Sequence, residues 1–200
     1  MNAITTKPYA PRQWKLSGLQ GISDQTLEIH FGLYEGYVKN ANGLIERIDA
    51  LRADGKNSGA DPAYAELVRR LGWEFDGMRL HEYYFDNLTS SPIDLSKGRL
   101  HEAIGSTFGG IEEWKRDFAA VGNMRGIGWA VLYYDPAGER LLNVWIGDHD
   151  LHHLTGCEPV VVMDLWEHAW LRDYKPPEKA KYVEAFVANI NWAACEARLP

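Results

Sequence analysis

Residues 164–174 read Asp164-Leu165-Trp166-Glu167-His168-Ala169-Trp170-Leu171-Arg172-Asp173-Tyr174, and they follow the apolar run Pro159-Val160-Val161-Val162-Met163. The run is short and rich in β-branched residues, which predicts a buried strand. Asp164 would then lie where the strand ends and a helix begins, poorly placed to be solvated. His168 follows by one helical turn, so its imidazole is expected to return over the carboxylate, with Trp166 packed between them.

A carboxylate next to an imidazole has two interpretations. The pair suits a metal such as Fe or Mn, which binds oxygen and nitrogen ligands. A buried Asp–His hydrogen bond without any metal is the alternative, because buried polar groups are normally hydrogen-bonded to each other. The rest of the chain has to decide between them.

The composition describes a soluble globular chain of 200 residues, 46% hydrophobic and 24% charged, long enough to bury a core. A net charge of −7 without a basic run argues against a nucleic-acid partner. No apolar segment approaches the length of a membrane span, and residues 1–15 lack the apolar core of a signal peptide. Cys157 and Cys195 are expected to remain thiols. We therefore expect a cytoplasmic protein with no membrane partner.

Helical patterns fill the first part of the chain. Residues 1–23 form an irregular arm that is expected to drape over the body. Ser23 is a candidate N-cap for a helix that runs to about Ala53, and Pro62 opens a second helix that runs to about Asn87. The short polar loop between the two predicts an antiparallel helical hairpin.

The second part mixes helices and strands. Ser96 is expected to cap a helix to about Phe108, and Gly109-Gly110 separates it from another helix to about Asn123. Segments 128–134, 141–146 and 160–164 predict a three-stranded antiparallel sheet, and a final helix is expected over roughly 177–198. The pattern indicates an α+β chain with two domains, the arm and hairpin (1–90) and a mixed domain with flanking helices (91–200).

The motif Asp164-x-Trp166-Glu167-His168-Ala169, with His30 in the first helix and His81 in the second, resembles the iron/manganese superoxide dismutases. The resemblance covers nearly the whole chain and includes Tyr9, Tyr37-Val38-Lys39-Asn40-Ala41-Asn42, Phe108-Gly109, Gly128-Trp129 and Val187-Ala188-Asn189-Ile190-Asn191-Trp192. It implies that one Fe per subunit, or Mn, is bound by His30, His81, Asp164 and His168. From the residues alone, a histidine on an apolar face is more typical of a satisfied core histidine, but two such histidines together with an Asp and a third His favour a metal site.

The resemblance also implies which side chains surround the metal. In this family a glutamine usually holds the solvent molecule on the metal, and it comes from one of two places. The first is four residues before the second ligand, here Gly77, and the second is the loop after the second strand, here His149. A subset of the family has His there, and the small Gly77 would leave room for the imidazole. A loop histidine is the alternative for His149, and the neighbouring His152 and His153 are interpreted as surface histidines rather than a second metal site.

Tyr37 stands seven residues after His30, two helical turns, so both project from the same face. It resembles the family's gateway tyrosine, for which the usual spacing is one residue longer. A regular helix of eight residues would turn the tyrosine away, so this shorter spacing predicts no π-type bulge between His30 and Tyr37. It also predicts that the Tyr37 hydroxyl lies within hydrogen-bond reach of His149. An ordinary core tyrosine is the alternative.

Other implied features concern the surroundings of the site and the assembly. Tyr34 takes the place of a histidine near the ligands, and Leu171 replaces the tyrosine that pairs with that histidine across the family's dimer. Glu167 is expected to hold the metal-binding histidine of a partner subunit, with a solvated glutamate as the alternative. Trp129 and Trp166 would wall the site, although either could be plain core. The resemblance implies a homodimer or tetramer, and Lys175 or Lys179 are candidates for attracting superoxide.

The implied function is superoxide disproportionation. One superoxide leaves as dioxygen, and a second leaves as hydrogen peroxide with two protons, with iron expected to support more activity than manganese. A non-haem iron oxygenase is an alternative, but its usual triad has two His and one carboxylate, and four ligands are present here. A catalytically silent metal-binding or scaffold homologue is a third reading, and such a protein would be expected to lose ligands.

Overall fold

The structure, a computed structural model, describes residues 7–199. Within them the elements are α1 (Asp24–Ala53), α2 (Pro62–Asp86), α3 (Arg99–Phe108), α4 (Ile111–Gly122), β1 (Gly128–Asp135), β2 (Arg140–Gly147), β3 (Glu158–Asp164), α5 (Lys179–Ala188) and α6 (Trp192–Glu196). Two 3₁₀ helices, Glu167–Ala169 and Pro176–Glu178, precede α5. A helical pair followed by a three-stranded antiparallel sheet with flanking helices confirms the predicted α+β class. No helix in the described range is both long and apolar enough to cross a membrane.

The helical pair begins and ends close to the predicted residues. The Ser23 hydroxyl accepts a hydrogen bond from the Thr26 backbone N–H, which satisfies one of the free donors at the start of α1. Asp61 caps α2 in the same way, directly before Pro62. The helices pack against each other through buried residues at helical spacing, which on α1 are His30, Tyr34, Val38 and Ala41.

The N-terminal arm lies on the helical pair, as expected for the part that is described, residues 7–23. The Trp14 ring stacks on Phe31 with centroids 6.1 Å apart, and its indole N–H donates to Asp86 at 2.7 Å. The backbone N–H of Arg12 donates to the Tyr34 hydroxyl at 2.9 Å. Residues 1–6 of the predicted arm lie outside the described residues.

The sheet has the order β2-β1-β3, with both pairs antiparallel and β1 in the centre. In the register, Gly128 faces Gly147 on β2, and Trp129 faces Asp164 on β3. One end of the sheet therefore presents Trp129, Asp164 and the loop that follows Gly147. The same end faces the helical pair, because α2 packs against β3.

Asn87 joins α2 to β3 through its side chain. Its Oδ1 atom accepts from the Val162 backbone N–H at 2.7 Å, and its amide donates to the Cys195 sulfur at 3.1 Å. Asn87 is fully buried, so these bonds satisfy an amide that would otherwise be costly to bury. The contact fixes the distance between the helix that holds His81 and the strand that ends at Asp164.

Helix α3 does not begin as predicted. Ser96 is not its cap; the N-cap is Gly98, at φ 104°, and it makes no side-chain capping bond. The Glu196 carboxylate of α6 accepts the backbone N–H groups of Arg99 and Leu100 instead, at 2.8 and 3.1 Å. A capping group from a distant helix leaves no local sequence signal.

The prediction of a single final helix over 177–198 was also wrong, because the helix is interrupted between α5 and α6. Ile190 forms an antiparallel bridge with Leu88, and the Asn191 N–H donates to the Asn87 carbonyl at 2.7 Å. At Ile190 and Asn191, hydrogen bonds to the segment after α2 therefore take the place of helical hydrogen bonds. The segment after β3 is likewise a three-residue 3₁₀ helix, Glu167–Ala169, and not a longer α-helix.

Candidate metal centre

Four side chains converge where the helical pair meets the end of the sheet. His30 comes from α1, His81 from α2, Asp164 from the last position of β3 and His168 from the 3₁₀ helix that follows. The candidate ligand atoms of these residues all lie within 4.8 Å of one another. The Asp164 Oδ2 atom is 3.0 Å from Nε2 of His30, 3.2 Å from Nε2 of His168 and 3.6 Å from Nε2 of His81.

The cluster is shielded from water on all but one side. The side chains of His30, His81 and Asp164 are 0% exposed, and that of His168 is 20% exposed. Burial lowers the pKa of both His30 and His81, and their mutual repulsion adds to the effect at His81. Both rings are therefore neutral and offer a lone pair. Burial would raise the pKa of Asp164, but His168 and His30 outweigh it and keep the carboxylate ionised.

The hydrogen bonds of the cluster fit a metal. His81 donates from Nδ1 to the Gly77 carbonyl at 2.6 Å, which leaves the lone pair on Nε2, and that atom is buried without a hydrogen-bond partner. The other carboxylate oxygen of Asp164, Oδ1, accepts from the Trp166 backbone N–H at 2.7 Å. Three imidazoles and one carboxylate suit a redox metal such as Fe or Mn, and an orphaned buried nitrogen is otherwise unfavourable.

Trp166 does not lie between Asp164 and His168 as the sequence suggested, because those two side chains touch directly. Its ring stacks on His149 with centroids 4.8 Å apart, and it lies nearly parallel to His168 at 6.2 Å. Its indole N–H donates to the Asp148 carbonyl at 3.3 Å. Trp166 thus forms a wall that joins the ligand segment to the loop after β2.

Tyr37 and His149 meet beside the cluster. Helix α1 is continuous through both His30 and Tyr37 with no π-type turn, so the predicted regular helix is confirmed. The Tyr37 Oη atom lies 2.8 Å from Nε2 of His149, which confirms the predicted contact. The Trp129 indole N–H, which can only donate, points at Nδ1 of His149 at 3.1 Å. The neutral imidazole therefore has its proton on Nε2 and donates it to Tyr37.

The surroundings shift the pKa values of both members of this pair. Burial lowers the pKa of His149 to about 4, with Asp164 opposing the shift and His168 and Arg70 adding to it. Burial, Asp164 and Glu74 raise the pKa of Tyr37, and Arg70 opposes them. At neutral pH the pair is a neutral imidazole and a protonated phenol, because both shifts disfavour the charged forms.

Gly77 leaves room for this pair, but mainly for the phenol. A Cβ atom at Gly77 would lie 2.7 and 2.8 Å from two carbons of the Tyr37 ring and 3.3 Å from the His149 ring. The sequence predicted that Gly77 leaves room for the imidazole of His149. The Tyr37 ring lies closer because it packs over His81, with centroids 5.0 Å apart.

The loop that presents His149 is held from behind by His153. The His149 carbonyl accepts from Nε2 of His153 at 2.7 Å, and Nδ1 of His153 accepts from the Tyr133 hydroxyl at 2.8 Å. Asp148 and His152 both have positive φ values, 49° and 72°, so the loop is unfavourable on its own. His149 is 0% exposed, so the alternative of a surface loop histidine does not hold for it. The interpretation as a surface histidine fits exposed His152 but was wrong for half-buried His153.

The remaining predicted residues lie around the cluster at different depths. Tyr34 is buried and donates to Glu82 at 3.0 Å, one turn from His30 on α1. Glu167 and Leu171 are exposed beside His168. Lys175 is exposed, and the Lys179 ammonium donates to the Met124 carbonyl at 2.8 Å.

Two residues at the site were not predicted from the sequence, Trp73 and Tyr182. Trp73 is half-buried, with its ring 4.4 Å from that of His149. It precedes Gly77 and His81 by one and two helical turns, so helical spacing back from His81 could have found it. Tyr182 donates its hydroxyl proton to the Asp164 carbonyl at 2.7 Å. It belongs to the apolar stripe of α5, where nothing in the sequence marks its polar contact.

Comparisons with known proteins agree with this geometry. The model of the iron/manganese superoxide dismutase C-terminal domain matches residues 96–198. "Superoxide dismutase [Fe]" of Cupriavidus metallidurans is 34% identical over 90% of this chain and 89% of its own length. "Superoxide dismutase [Fe]" of Pyrobaculum aerophilum is 30% identical over 98% and 94%. "Superoxide dismutase [Mn] 2" of Haloferax volcanii is 33% identical over 88% and 86%.

The matched region spans more than half of the chain, and the relatives align over most of both lengths. The chain therefore belongs to the iron/manganese superoxide dismutase family. It is a metal-dependent enzyme of that type, with Fe or Mn as its metal.

Proposed function

We propose that this superoxide dismutase binds its metal through His30, His81, Asp164 and His168 and moves protons through Tyr37 and His149. One observation supports the ligand set above all. The lone-pair nitrogen of His81 is fully buried, has no hydrogen-bond partner, and lies 3.6 Å from an ionised carboxylate oxygen. A silent homologue would be free to lose such an arrangement, and an oxygenase triad would not need a fourth ligand.

Bound Fe or Mn supplies a centre that accepts one electron from superoxide, giving dioxygen, and returns it to a second superoxide, giving hydrogen peroxide. The protein has to deliver two protons to that second superoxide. His149 donates its Nε2 proton to the Tyr37 oxygen, so the phenolic hydrogen of Tyr37 is not engaged by His149 and can point into the site. Tyr37 then acts as the proton donor, His149 stabilises the phenolate that forms by donating a hydrogen bond to its oxygen, and solvent reprotonates Tyr37.

Trp129, Trp166 and Gly77 position Tyr37 and His149 without taking part in the reaction. Trp129 fixes the tautomer of His149, because its N–H occupies Nδ1. Trp166 stacks on the face of the imidazole and limits access of water. Gly77 allows the Tyr37 ring to approach His81. Tyr34 supports α1 through its bond to Glu82.

Iron is the metal we propose for full activity. The single N–H of His149 is donated to Tyr37, so an imidazole at 149 is a weaker donor to solvent on the metal than the family's amide. Weaker hydrogen bonding to that solvent lowers the reduction potential less. The named relatives include enzymes designated [Fe] and [Mn], so both metals are represented among similar chains. Reconstitution with each metal in turn discriminates between them.

We propose a homodimer, because the surface around His168 exposes Glu167 and several large apolar side chains. Glu167 is exposed next to His168, the one partly exposed ligand. Large apolar side chains are exposed on α1 and beside the 3₁₀ helix that packs on it: Ile29 at 46%, Leu33 at 39% and Leu171 at 38%. A second copy would cover them and bring Glu167 near the partner's site. Without the Tyr-to-His bridge, this interface is weaker than in other members.

We further propose a cytoplasmic location and no nucleic-acid or membrane partner. Cys157 and Cys195 are both free thiols, which fits a reducing compartment. The net charge of −7 disfavours binding to phosphate backbones.

The proposal is tested by loading metal-free protein with Fe or Mn and measuring superoxide disproportionation and bound metal together. We expect one metal per subunit and clearly higher activity for iron. A manganese form that is clearly more active would overturn the metal assignment. Stoichiometric metal without any superoxide turnover would overturn the function and support the silent homologue.

A further inference from the structure

The charged side chain of Arg70 is separated from the site by one aromatic ring, that of Trp73. The Trp73 ring lies 4.4 Å from the ring of His149 and 5.6 Å from that of Tyr37, measured between centroids. The guanidinium carbon of Arg70 lies 3.7 Å from the centre of the Trp73 ring, over its face. One indole therefore separates a permanent positive charge from the proton-donating pair.

Glu74 fixes the position of Arg70. Two guanidinium nitrogens donate to the same carboxylate oxygen of Glu74 at 2.9 and 2.8 Å, and the Asn40 amide donates to the other oxygen at 3.2 Å. The Glu74 side chain is 5% exposed, but that of Arg70 is 45% exposed. The anion is thus buried beneath its partner, and the cation is the group that faces solvent at the rim.

The charge of this rim differs from that of the whole chain. Lys39, Arg47 and Arg70 line one groove between α1 and α2, with Glu74 as its single acidic residue. The chain as a whole has a net charge of −7, which repels an anion. A local positive field beside a site raises the rate at which a small anion reaches it. The influence of Arg70 extends to the site, where it opposes the burial that raises the pKa of Tyr37.

We propose that Arg70, held over Trp73 by Glu74, draws superoxide to the side of the site that half-buried Tyr37 and Trp73 border. The proposal rests on the superoxide dismutase function given above. Arg70 on α2 thus takes the role of attracting superoxide that was predicted for Lys175 or Lys179, which follow the ligand segment. The Lys179 ammonium is engaged by the Met124 carbonyl, so its charge is not presented at the site.

The test compares Arg70→Gln with Arg69→Gln in the iron-loaded enzyme. Arg69→Gln is the matched control, because it removes the same charge from the neighbouring residue. The Arg69 side chain is 75% exposed and pairs with Glu66. At ionic strength near 0.01 M we expect Arg70→Gln to lower kcat/KM about threefold, and Arg69→Gln to leave it nearly unchanged. The difference should vanish near 0.5 M salt, where charges more than a few ångströms apart are screened.

Two further variants separate a field effect from damage to the fold. Arg70→Lys keeps the charge and should restore most of the rate. Glu74→Gln removes the opposing charge but keeps a side-chain oxygen that accepts from the Arg70 guanidinium, so it should raise kcat/KM at low salt, the opposite sign to Arg70→Gln. Equal salt profiles for the Arg70 and Arg69 variants, or a lower rate in Glu74→Gln, would overturn the proposal.

Azide binding to the iron-loaded enzyme, followed by absorption, gives a readout that does not need turnover. Arg70→Gln should weaken azide about threefold at low salt relative to Arg69→Gln, because azide is also a small monoanion. If the unmodified iron enzyme turns over no superoxide, the function fails, but the azide comparison still decides whether Arg70 attracts anions. Equal azide affinities in the two variants would by themselves overturn the proposed role of Arg70.

Discussion

The Tyr37 hydroxyl oxygen lies 2.8 Å from Nε2 of His149, although Tyr37 follows His30 by only seven residues. Seven residues make two turns of a regular helix, so an unbroken α1 brings the phenol onto the ligand face. The pairing therefore needs no bulge in the helix. It needs space on α2, which Gly77 provides, and an imidazole from the loop after β2.

Substitution of Gly77 tests this use of space. Gly77→Ala places a Cβ atom 2.7 Å from the Tyr37 ring, so the ring or the helix has to shift. We expect a loss of about 1–3 kcal/mol in the free energy of unfolding and reduced activity. Gly72→Ala on the same helix is the control, because its Cβ meets nothing within 4 Å. It should instead stabilise by about 0.5–1 kcal/mol. Denaturant unfolding of both variants measures the contrast, and an equally stable Gly77→Ala would contradict it.

Most of the fold could be predicted, because α1, α2 and the strands have strong local patterns. The ligand set came from spacing together with family resemblance. The errors fall where distant contacts decide local structure. Glu196 caps α3, and pairing of Ile190 with Leu88 breaks the final helix. The Trp73 contact depends on how α2 meets the loop after β2, which no local pattern specifies.

His153 should matter for activity although it lies behind the site. Replacing it by Leu removes the donor to the His149 carbonyl, so the strained loop loses a support and His149 loses its alignment with Tyr37. We expect about a tenfold fall in kcat with metal content retained. His153→Gln keeps a donor and should recover part of the rate, and His152→Asn, at the exposed neighbour whose positive φ asparagine tolerates, should have little effect. Similar kinetics for His153→Leu and His152→Asn would show that His153 does not position His149.

Glu167 tests the assembly. If Glu167 contacts the partner's metal-binding histidine, Glu167→Ala should shift dimers toward monomers and lower activity at low protein concentration. Light scattering and activity over a dilution series measure both quantities. Glu66→Ala, an exposed glutamate on α2, is the control and should not change either. A Glu167 variant that stays dimeric and fully active refutes the role.

His149→Gln tests the basis of the metal preference. An amide at this position donates more strongly to solvent on the metal, which should raise the activity of the manganese form relative to the iron form. The ratio of the two activities after separate reconstitution is the quantity to compare with the unmodified enzyme. A ratio that stays the same or moves toward iron would show that residue 149 does not set the preference.

The catalytic metal is proposed to be held by His30, His81, Asp164 and His168, three of them fully buried. The most direct test of this ligand set is the metal content per subunit, measured with the superoxide disproportionation rate, in His81→Ala and Asp164→Ala. His101→Ala on α3, outside the ligand cluster, is the control. We predict that both ligand variants lose stoichiometric Fe or Mn and their activity, since each removes a donor from the buried site, whereas His101→Ala keeps both. Ligand variants with normal metal content and normal turnover would contradict the account.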